Sequence, residues 1–410
     1  MDSSPSTHSV TRGDHSKVIA MVIPMPPPPP PPPMSIPIAE VPRPSDCCNN
    51  FGRGGSGRSA GAMGAARAGG GARGAGAPAG SGGGGGAWLV VNETGGGGRA
   101  RRRWKRAVPG ARAALEARFG SVREQLTLGP GHARELAQRA AEEGADVVIA
   151  VGGDGTVGEV VCGLMAAAPV SAGPAARPAL GIIPLGSGND FARGLGWSTS
   201  VGKAVERIAT GELHPVDVGR VYLGTLEQRD GEAAPEFRYF LNEVSMGLPA
   251  TVGALVPRYK WLGATPGYKV ATVRAIITHR RCPVSVRADG GEAYTVEEPT
   301  IMTVANGQYF GSGMRVAPGA SPDSGALEMV AIKGIGLGGF IRYGHLLNSG
   351  GHVEKSFTDV AAVREVELIP LDGPEGSYLL EADGDLIGSL PCTVSVLPGA
   401  VRLAGWQQKQ

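Results

Sequence analysis

The residues with the most chemical content sit in a run of small ones, Val151-Gly152-Gly153-Asp154-Gly155-Thr156. Glycines permit φ > 0 and let an anion approach backbone N–H groups that a Cβ would shield. Apolar residues precede the run from Asp146, and Val157, Val160, Val161, Leu164 and Met165 follow it at helical spacing. Strand, glycine loop and helix N-terminus together make a phosphate cradle, because the helix adds unpaired N–H groups and the positive end of its dipole. Thr156 adds a hydroxyl donor or caps the helix. A second run, Gly186-Ser187-Gly188-Asn189-Asp190, follows the apolar stretch Leu180 to Leu185. Loops at the carboxyl ends of parallel strands converge on one crevice, so Ser187 and Asn189 are expected beside Gly152 to Thr156. Asn189 and Asp190 also suit a plain turn and helix cap. Near the end of the chain, Glu381, Asp383 and Asp385 alternate. On one strand they share a side and offer carboxylates for proton transfer; a charged turn at a strand end is the other reading.

Two familiar loops do not account for this. Gly153-x-Gly155-x-x-Gly158 fits the dinucleotide fingerprint, but that motif wants an acid about 20 residues later for the ribose. None occurs from Val160 through Gly188, and a Walker loop with Gly-Lys-Ser/Thr is absent. The seven histidines show no metal or triad spacing, and the five cysteines include no Cys-x-x-Cys pair. The cysteines read as free thiols of a reducing compartment.

Residues 87–218 alternate strand and helix, which predicts a doubly wound parallel α/β nucleotide-binding domain. Strands are expected at Trp88 to Val91, Val122 to Leu128, Asp146 to Val151 and Leu180 to Leu185. Helices are expected at Ala111 to Phe119, from Ala133 through Ala141 and at Val201 to Ala209. From residue 219 to 410 closely spaced strands take over, at 216–223, 237–246, 283–288, 293–305, 326–332, 363–369, 378–382 and 392–404. Helices near 266–279 and 336–348 interrupt a mostly antiparallel β domain.

The chain has 410 residues and a net charge of +2, which does not call for nucleic acid. Much of its glycine and proline lies in residues 22–86. That segment has too little apolar surface to offset its ordering entropy, so residues 1–86 are expected to be low-complexity and outside the fold. From Phe51 to Trp88 it holds Arg, Ala, Gly and Ser but no acid, as a mitochondrial or plastid transit peptide does. A tail without an address, on a cytoplasmic enzyme peripheral to membranes, is the alternative. No apolar run approaches the ~18 residues that span a bilayer.

In this order, Val90-Val91-Asn92, Thr127 with Gly131-His132-Ala133, Gly152 to Thr156, Pro184 to Ala192 and Asp383-Gly384-Asp385 resemble the diacylglycerol kinase catalytic family. That family includes sphingosine, ceramide and bacterial lipid kinases. The last stretch, with Leu397 to Ala400, is most similar to plant sphingoid long-chain base kinases of the mitochondrial type. The resemblance implies a C-terminal β-sandwich, with ATP and Mg²⁺ in the cleft between the domains. It implies a lipid substrate, a sphingoid base or diacylglycerol, presented at a membrane surface. It assigns Thr127, Gly152, Gly153, Asp154, Gly155, Thr156, Val157, Gly158 and Ser187 to the nucleotide, with Asn189 beside them. Lys260 falls in a segment whose arginine contacts ATP phosphates in sphingosine kinases.

By the same resemblance Asp154 holds Mg²⁺ through water. Asp385 falls where bacterial members carry a glutamate read as general base. Sphingosine kinases are read with the loop aspartate, here Asp154, in that role. Proton transfer by Asp385 and metal binding by Asp154 is the preferred division. Asp385 is one methylene shorter than the glutamate, and a misplacement of ~1 Å can cost ~10²-fold in rate. Ser324 stands where bacterial members place an aspartate of a structural Mg²⁺ site, so that site is not expected.

Leu241-Asn242-Glu243 resembles a motif of NAD kinases and keeps that activity as an alternative. The Asp385 and Ser324 departures keep a third, a lipid- or nucleotide-binding pseudokinase. Arg99, Arg101, Arg102, Arg103, Lys105 and Arg106 surround Trp104, as a lipid-headgroup surface or a solvated helix start. Leu255, Tyr259, Trp261, Leu262, Tyr268, Val270 and Val273 read as a lipid-chain pocket or as ordinary core.

Overall fold

The computed structural model describes residues 85–94, 99–233, 235–373 and 378–406. The low-complexity segment with its targeting reading, and the glycines 95–98, lie outside them. Strand β1 (Ala87–Val91) leads through α1 (Arg99–Phe119), β2 (Val122–Leu126), α2 (His132–Glu142), β3 (Val147–Gly152) and α3 (Asp154–Ala167) to β4 (Ala179–Pro184). The short α4 (Asp190–Gly194) and α5 (Val201–Thr210) follow. The strands lie in the order β2-β1-β3-β4, all parallel. Trp88, Val90, Val148 and Ala150 pack with the apolar stripes of α2 and α3. Leu89, Val91, Ile149 and Ile183 pack on the other side with residues of α1 and α5. Every residue of β1, β3 and β4 is buried, as expected of strands covered on both faces.

Helix α1 begins at Arg99 rather than Ala111 and runs through Pro109. Proline usually ends a helix. Here Ala100 and Trp104 are buried ahead of it, and the Trp104 indole donates to Glu124 at 2.9 Å. Trp104 is therefore core, not a membrane anchor, and Arg101 to Arg103, Lys105 and Arg106 are exposed around it.

The second half runs β5 (Glu212–Tyr222), α6 (Leu226–Gly231), β6 (Arg238–Phe240), β7 (Glu243–Gly247), α7 (Leu248–Leu255) and α8 (Ala264–Thr278). Then come β8 (Val284–Ala288), β9 (Tyr294–Val296), β10 (Pro299–Ala305), β11 (Leu327–Lys333) and α9 (Leu337–Ser349). The chain ends with β12 (Thr358–Val363), β13 (Glu365–Pro370), β14 (Leu379–Ala382), β15 (Asp385–Ser389) and β16 (Cys392–Trp406). An antiparallel six-stranded sheet has the order β12-β11-β10-β7-β14-β15. The sheet opposite is not a separate one. Strand β16 pairs antiparallel with β13 and β5, then runs parallel to β4 at Leu403–Leu180. A ten-stranded sheet thus passes from the α/β layer into the sandwich. Residue 218 lies inside β5.

Between the two sheets lie Val244, Met246, Met302, Val304, Leu380, Val366, Leu368 and Val394. The outer face of the six-stranded sheet carries Ile301, Val330 and Ile332, which cluster with Leu248 and Val252 of α7, Ala271 and Ala275 of α8 and Leu347 of α9.

Candidate active site

The two glycine loops touch through backbone. A Cβ on Gly186 would lie 2.4 Å from the Gly153 Cα, and one on Gly153 would lie 3.1 Å from the Gly186 Cα. Only residues without side chains allow that approach. The N–H groups of Leu185 and Gly186 both donate to the Gly152 carbonyl, at 2.7 and 3.2 Å. Asn189, in the left-handed region at φ 51°, closes the second loop. Its amide accepts from the Gly186 N–H at 2.8 Å and donates to the Gly186 carbonyl at 3.0 Å. Asn189 is buried, so its side chain shapes the loop, while Ser187 is exposed at the tip.

Asp154 opens α3 and faces the second loop. Its carboxylate accepts from the Phe191 N–H at 3.2 Å, and burial raises its pKa against the pull of the surrounding N–H groups. Asp190 is also buried and accepts from the Ser312 N–H at 2.8 Å. Burial, then the charge of Asp154, pushes its carboxyl up to about 6. One oxygen from each of these aspartates would lie 3.1 Å from a Cβ on Gly188, so the two carboxylates converge over that glycine. Arg193, 3.6 Å from Asp190, offsets part of this negative charge, and the paired carboxylates suit a divalent cation. Among the described residues no group of three or more His, Cys, Asp or Glu has metal-cage geometry.

The acidic motif near the C-terminus does not lie along one strand. Asp383 and Gly384, at φ 49° and 89°, form a two-residue hairpin turn, and Ala382 pairs with Asp385 across it. The turn separates the three acids that alternation would align. Asp383 folds inward and accepts from the N–H groups of Leu241, Asn242 and Glu243 at 2.8, 2.9 and 3.1 Å. Burial pushes it up to about 6, with Asp154 adding to the rise. A Cβ on Gly158 would lie 2.8 Å from the Asp383 carboxylate, so the hairpin rests against the helix that carries the phosphate loop. Asp385 is half-exposed and ion-paired with Arg238 at 3.0 Å. Burial raises its pKa and Arg238 opposes the rise.

The other expected residues take several places. Thr156 is buried, and its hydroxyl accepts from the Asn92 amide at 3.1 Å. Val157 and Gly158 are buried on the inner side of α3, whereas Gly153, Asp154 and Gly155 are partly exposed. Thr127 is partly exposed just beyond β2, and its N–H donates to the Val91 carbonyl at 2.9 Å. His132 begins α2, one residue ahead of the expected Ala133, and accepts from the Leu128 N–H at 3.0 Å. Lys260 falls in a 3₁₀ stretch, Val256–Leu262; its side chain lies outside the described residues. Asn242 donates to the Tyr309 carbonyl at 2.8 Å and Glu243 is buried, so this pair is turned inward. Sequence reasoning named Asp190, Glu243 and Glu381 but not that Asp190 and Glu243 are buried, nor that Asp190 faces Asp154. For Glu243 a signal existed: Glu243 and Ser245 alternate with Val244 and Met246.

The chain matches two family models: the diacylglycerol kinase catalytic domain over residues 86–221, and the YegS C-terminal NAD kinase beta sandwich-like domain over residues 242–405. A diacylglycerol kinase of Mycobacterium tuberculosis is 28% identical over 300 residues, 73% of this chain and 89% of the relative. A probable YegS-like lipid kinase of Chromohalobacter salexigens is 35% identical over 222 residues, 52% of this chain and 65% of the relative. The crystal structure of a Bacillus anthracis protein described as a diacylglycerol kinase aligns with a TM-score of 0.58 at 25% identity. That alignment covers 78% of this chain and 96% of the other, and its two-domain architecture is the one expected from the sequence.

Proposed function

We infer that the chain is a member of the diacylglycerol kinase catalytic-domain family and a lipid kinase that moves the terminal phosphate of ATP to a primary lipid hydroxyl, giving a lipid phosphate and ADP. The single observation that carries this reading is the contact of Gly153 with Gly186 beneath Asp154, with the Asp383 hairpin against the same helix. Phosphoryl transfer depends on positioning and on offsetting charge, and this arrangement supplies both. N–H groups of the two loops and of α3 hold the phosphates, and Ser187 adds a hydroxyl. Mg²⁺ bound with ATP offsets the phosphate charge, and Asp154 is the residue that would hold it.

Asp385 is our choice for accepting the proton of the lipid hydroxyl, since it is the acid of the hairpin with solvent access. Arg238 fixes its direction and opposes the rise that burial gives its pKa. Both a sphingoid base and diacylglycerol carry the hydroxyl the reaction needs. The likeness of the last stretch to sphingoid base kinases favours the former. Asn242 is committed to the Tyr309 carbonyl and Glu243 is buried, which weighs against the NAD kinase alternative.

Presentation at a membrane surface draws support from α8. Val270, Val273 and Ile277 stand on one side of it and are 41%, 48% and 68% exposed, with Trp261 before it and Ile341 of α9 each 79% exposed. Of the segment read as ordinary core or a lipid-chain pocket, Leu255 is core, whereas Trp261, Val270 and Val273 are exposed. Grouped exposed apolar side chains of this kind mark contact surfaces. Among the described residues no helix is long and apolar enough to cross a membrane.

Labelled ATP, the full chain and vesicles bearing sphingosine, phytosphingosine, diacylglycerol or ceramide, with NAD as a soluble alternative, test the reading. Transfer to a lipid is expected, lowered by orders of magnitude in Asp154→Ala and Asp385→Ala with the fold intact. Transfer to NAD alone would sink it. Full activity of Asp385→Ala would remove that residue as the base.

A further inference from the structure

The outer face of the six-stranded sheet changes character from one edge to the other. At β10 and β11 it is apolar, with Ile301, Val330 and Ile332. Toward β14 it is polar. Glu381 lies directly opposite Ser245, and Ser245 opposite Thr303, so the three form a row across β14, β7 and β10. Glu243 stands two residues before Ser245 on the same face. Glu243, Ser245 and Thr303 are 2%, 0% and 0% exposed.

This row holds two carboxylates and no lysine or arginine. Thr303 gives Glu243 only a long hydrogen bond of 3.4 Å. The Ser245 hydroxyl is wholly buried. It lies close enough to both acids to ease their charge, yet meets the geometry of a hydrogen bond to neither. Burial and then the charge of Asp385 push Glu381 up to about 7, and burial with the charge of Glu381 holds Glu243 well above the usual range.

Glu381 is the accessible member of the row. Facing it on α7 is Gly253, where a Cβ would lie 3.0 Å from the Glu381 carboxylate. A side chain at 253 would cover the acid; glycine leaves it open. Burial raises the pKa of Tyr268 on α8, and the charges of Glu381 and Asp190 add to the rise. Glu381 therefore stands beside the Asp383–Asp385 turn and faces α7, which packs against α8 through Val252, Leu255, Ala271 and Ala275.

We propose that Glu381 is the specificity-determining residue of the lipid site, taking the ammonium group that a long-chain amino alcohol carries on the carbon next to its reacting hydroxyl. The proposal rests on the lipid-kinase reading. An ammonium supplies three donors and a positive charge, which the acids and the Ser245 oxygen lack. The ester of a diacylglycerol offers acceptors only, and would set lone pairs against carboxylate oxygens with nothing to offset their desolvation. With the ammonium on Glu381, the hydroxyl lies on the Asp385 side and the chain on the α8 side.

The test compares kcat/KM for a sphingoid base, its N-acylated form and diacylglycerol, using the full chain and vesicles of fixed composition. The unmodified enzyme is expected to prefer the free amine. Glu381→Gln, which keeps the shape but loses the charge, is expected to lower kcat/KM for the amine by ~10- to 100-fold. That loss should fall mainly in KM and collapse the ratio to the other two lipids. Glu381→Asp should recover part of the ratio, and nucleotide binding to each variant verifies its fold. An equal or greater rate on diacylglycerol, or an unchanged ratio in Glu381→Gln, overturns the proposal alone. Transfer to none of the three lipids overturns the lipid-kinase reading and this proposal with it.

Discussion

Replacing Gly186 by alanine drives the two phosphate loops apart, and the structure sets the scale. The new Cβ would stand 2.4 Å from the Gly153 Cα and 3.3 Å from its nitrogen, both backbone atoms. Carbon atoms settle at about 3.5–4.0 Å, so one loop has to withdraw by ~1 Å. Little nearby can give way. Asn189 Oδ1 lies 3.0 Å from the same Cβ and already binds the Gly186 N–H, which is also tied to Gly152. Overpacking of this kind costs about 1–3 kcal/mol. A loop moved by ~1 Å lowers transfer by ~10²-fold, because the phosphate donors no longer share one target. The assay is kcat/KM for ATP at saturating lipid, with Tm measured in parallel. Gly110→Ala is the control: it lies within α1 with nothing within 4 Å of its Cβ, and should gain ~0.5–1 kcal/mol without loss of rate. If Gly186→Ala stays within threefold of the parent, the loops do not act as one cradle.

Asp383→Ala leaves three N–H groups of residues 241–243 without their acceptor. Each such buried donor costs about 1–3 kcal/mol, so a large drop in the urea midpoint is expected, and a change below ~0.5 kcal/mol would show the turn is not held this way. The carboxyls of Asp190, Asp383 and Glu381 lie at about 6, 6 and 7, above their unfolded values. Between about pH 4 and 7 the folded chain therefore binds more protons than the unfolded one, and these groups make nucleotide-free stability fall as pH rises through that window. Urea unfolding of Asp383→Asn should show a shallower fall than the parent; an identical slope would remove Asp383 from the effect. Val273→Asp with Ile277→Asp should reduce transfer to vesicle-borne lipid at least tenfold while sparing a dispersed short-chain lipid, and equal loss on both would point to misfolding instead.

The alternation of strand and helix through residue 210 was legible because both sheet faces are covered and each helix carries an apolar stripe. Helix α1 was read short because Pro109 is a local signal, whereas burial of Ala100 and Trp104 is a tertiary one. Strand β12 was missed as a unit: only its end residues Thr358 and Val363 are buried and it runs into β13 after one residue, so pattern alone gave one strand at 363–369. The meeting of the glycine loops followed from sequence because a parallel sheet sends such loops to one edge.

What the sequence by itself determined was the phosphate cradle: two glycine runs, each after a buried strand, have few other uses. It also determined that acids near residue 383 matter. Only the tertiary structure decided what each acid does, because a two-residue turn sends Asp383 inward onto backbone N–H groups, leaves Asp385 against Arg238 and sets Glu381 over Gly253. Those three fates depend on contacts between residues well over ~100 positions apart in the chain, and no local pattern encodes contacts at that separation.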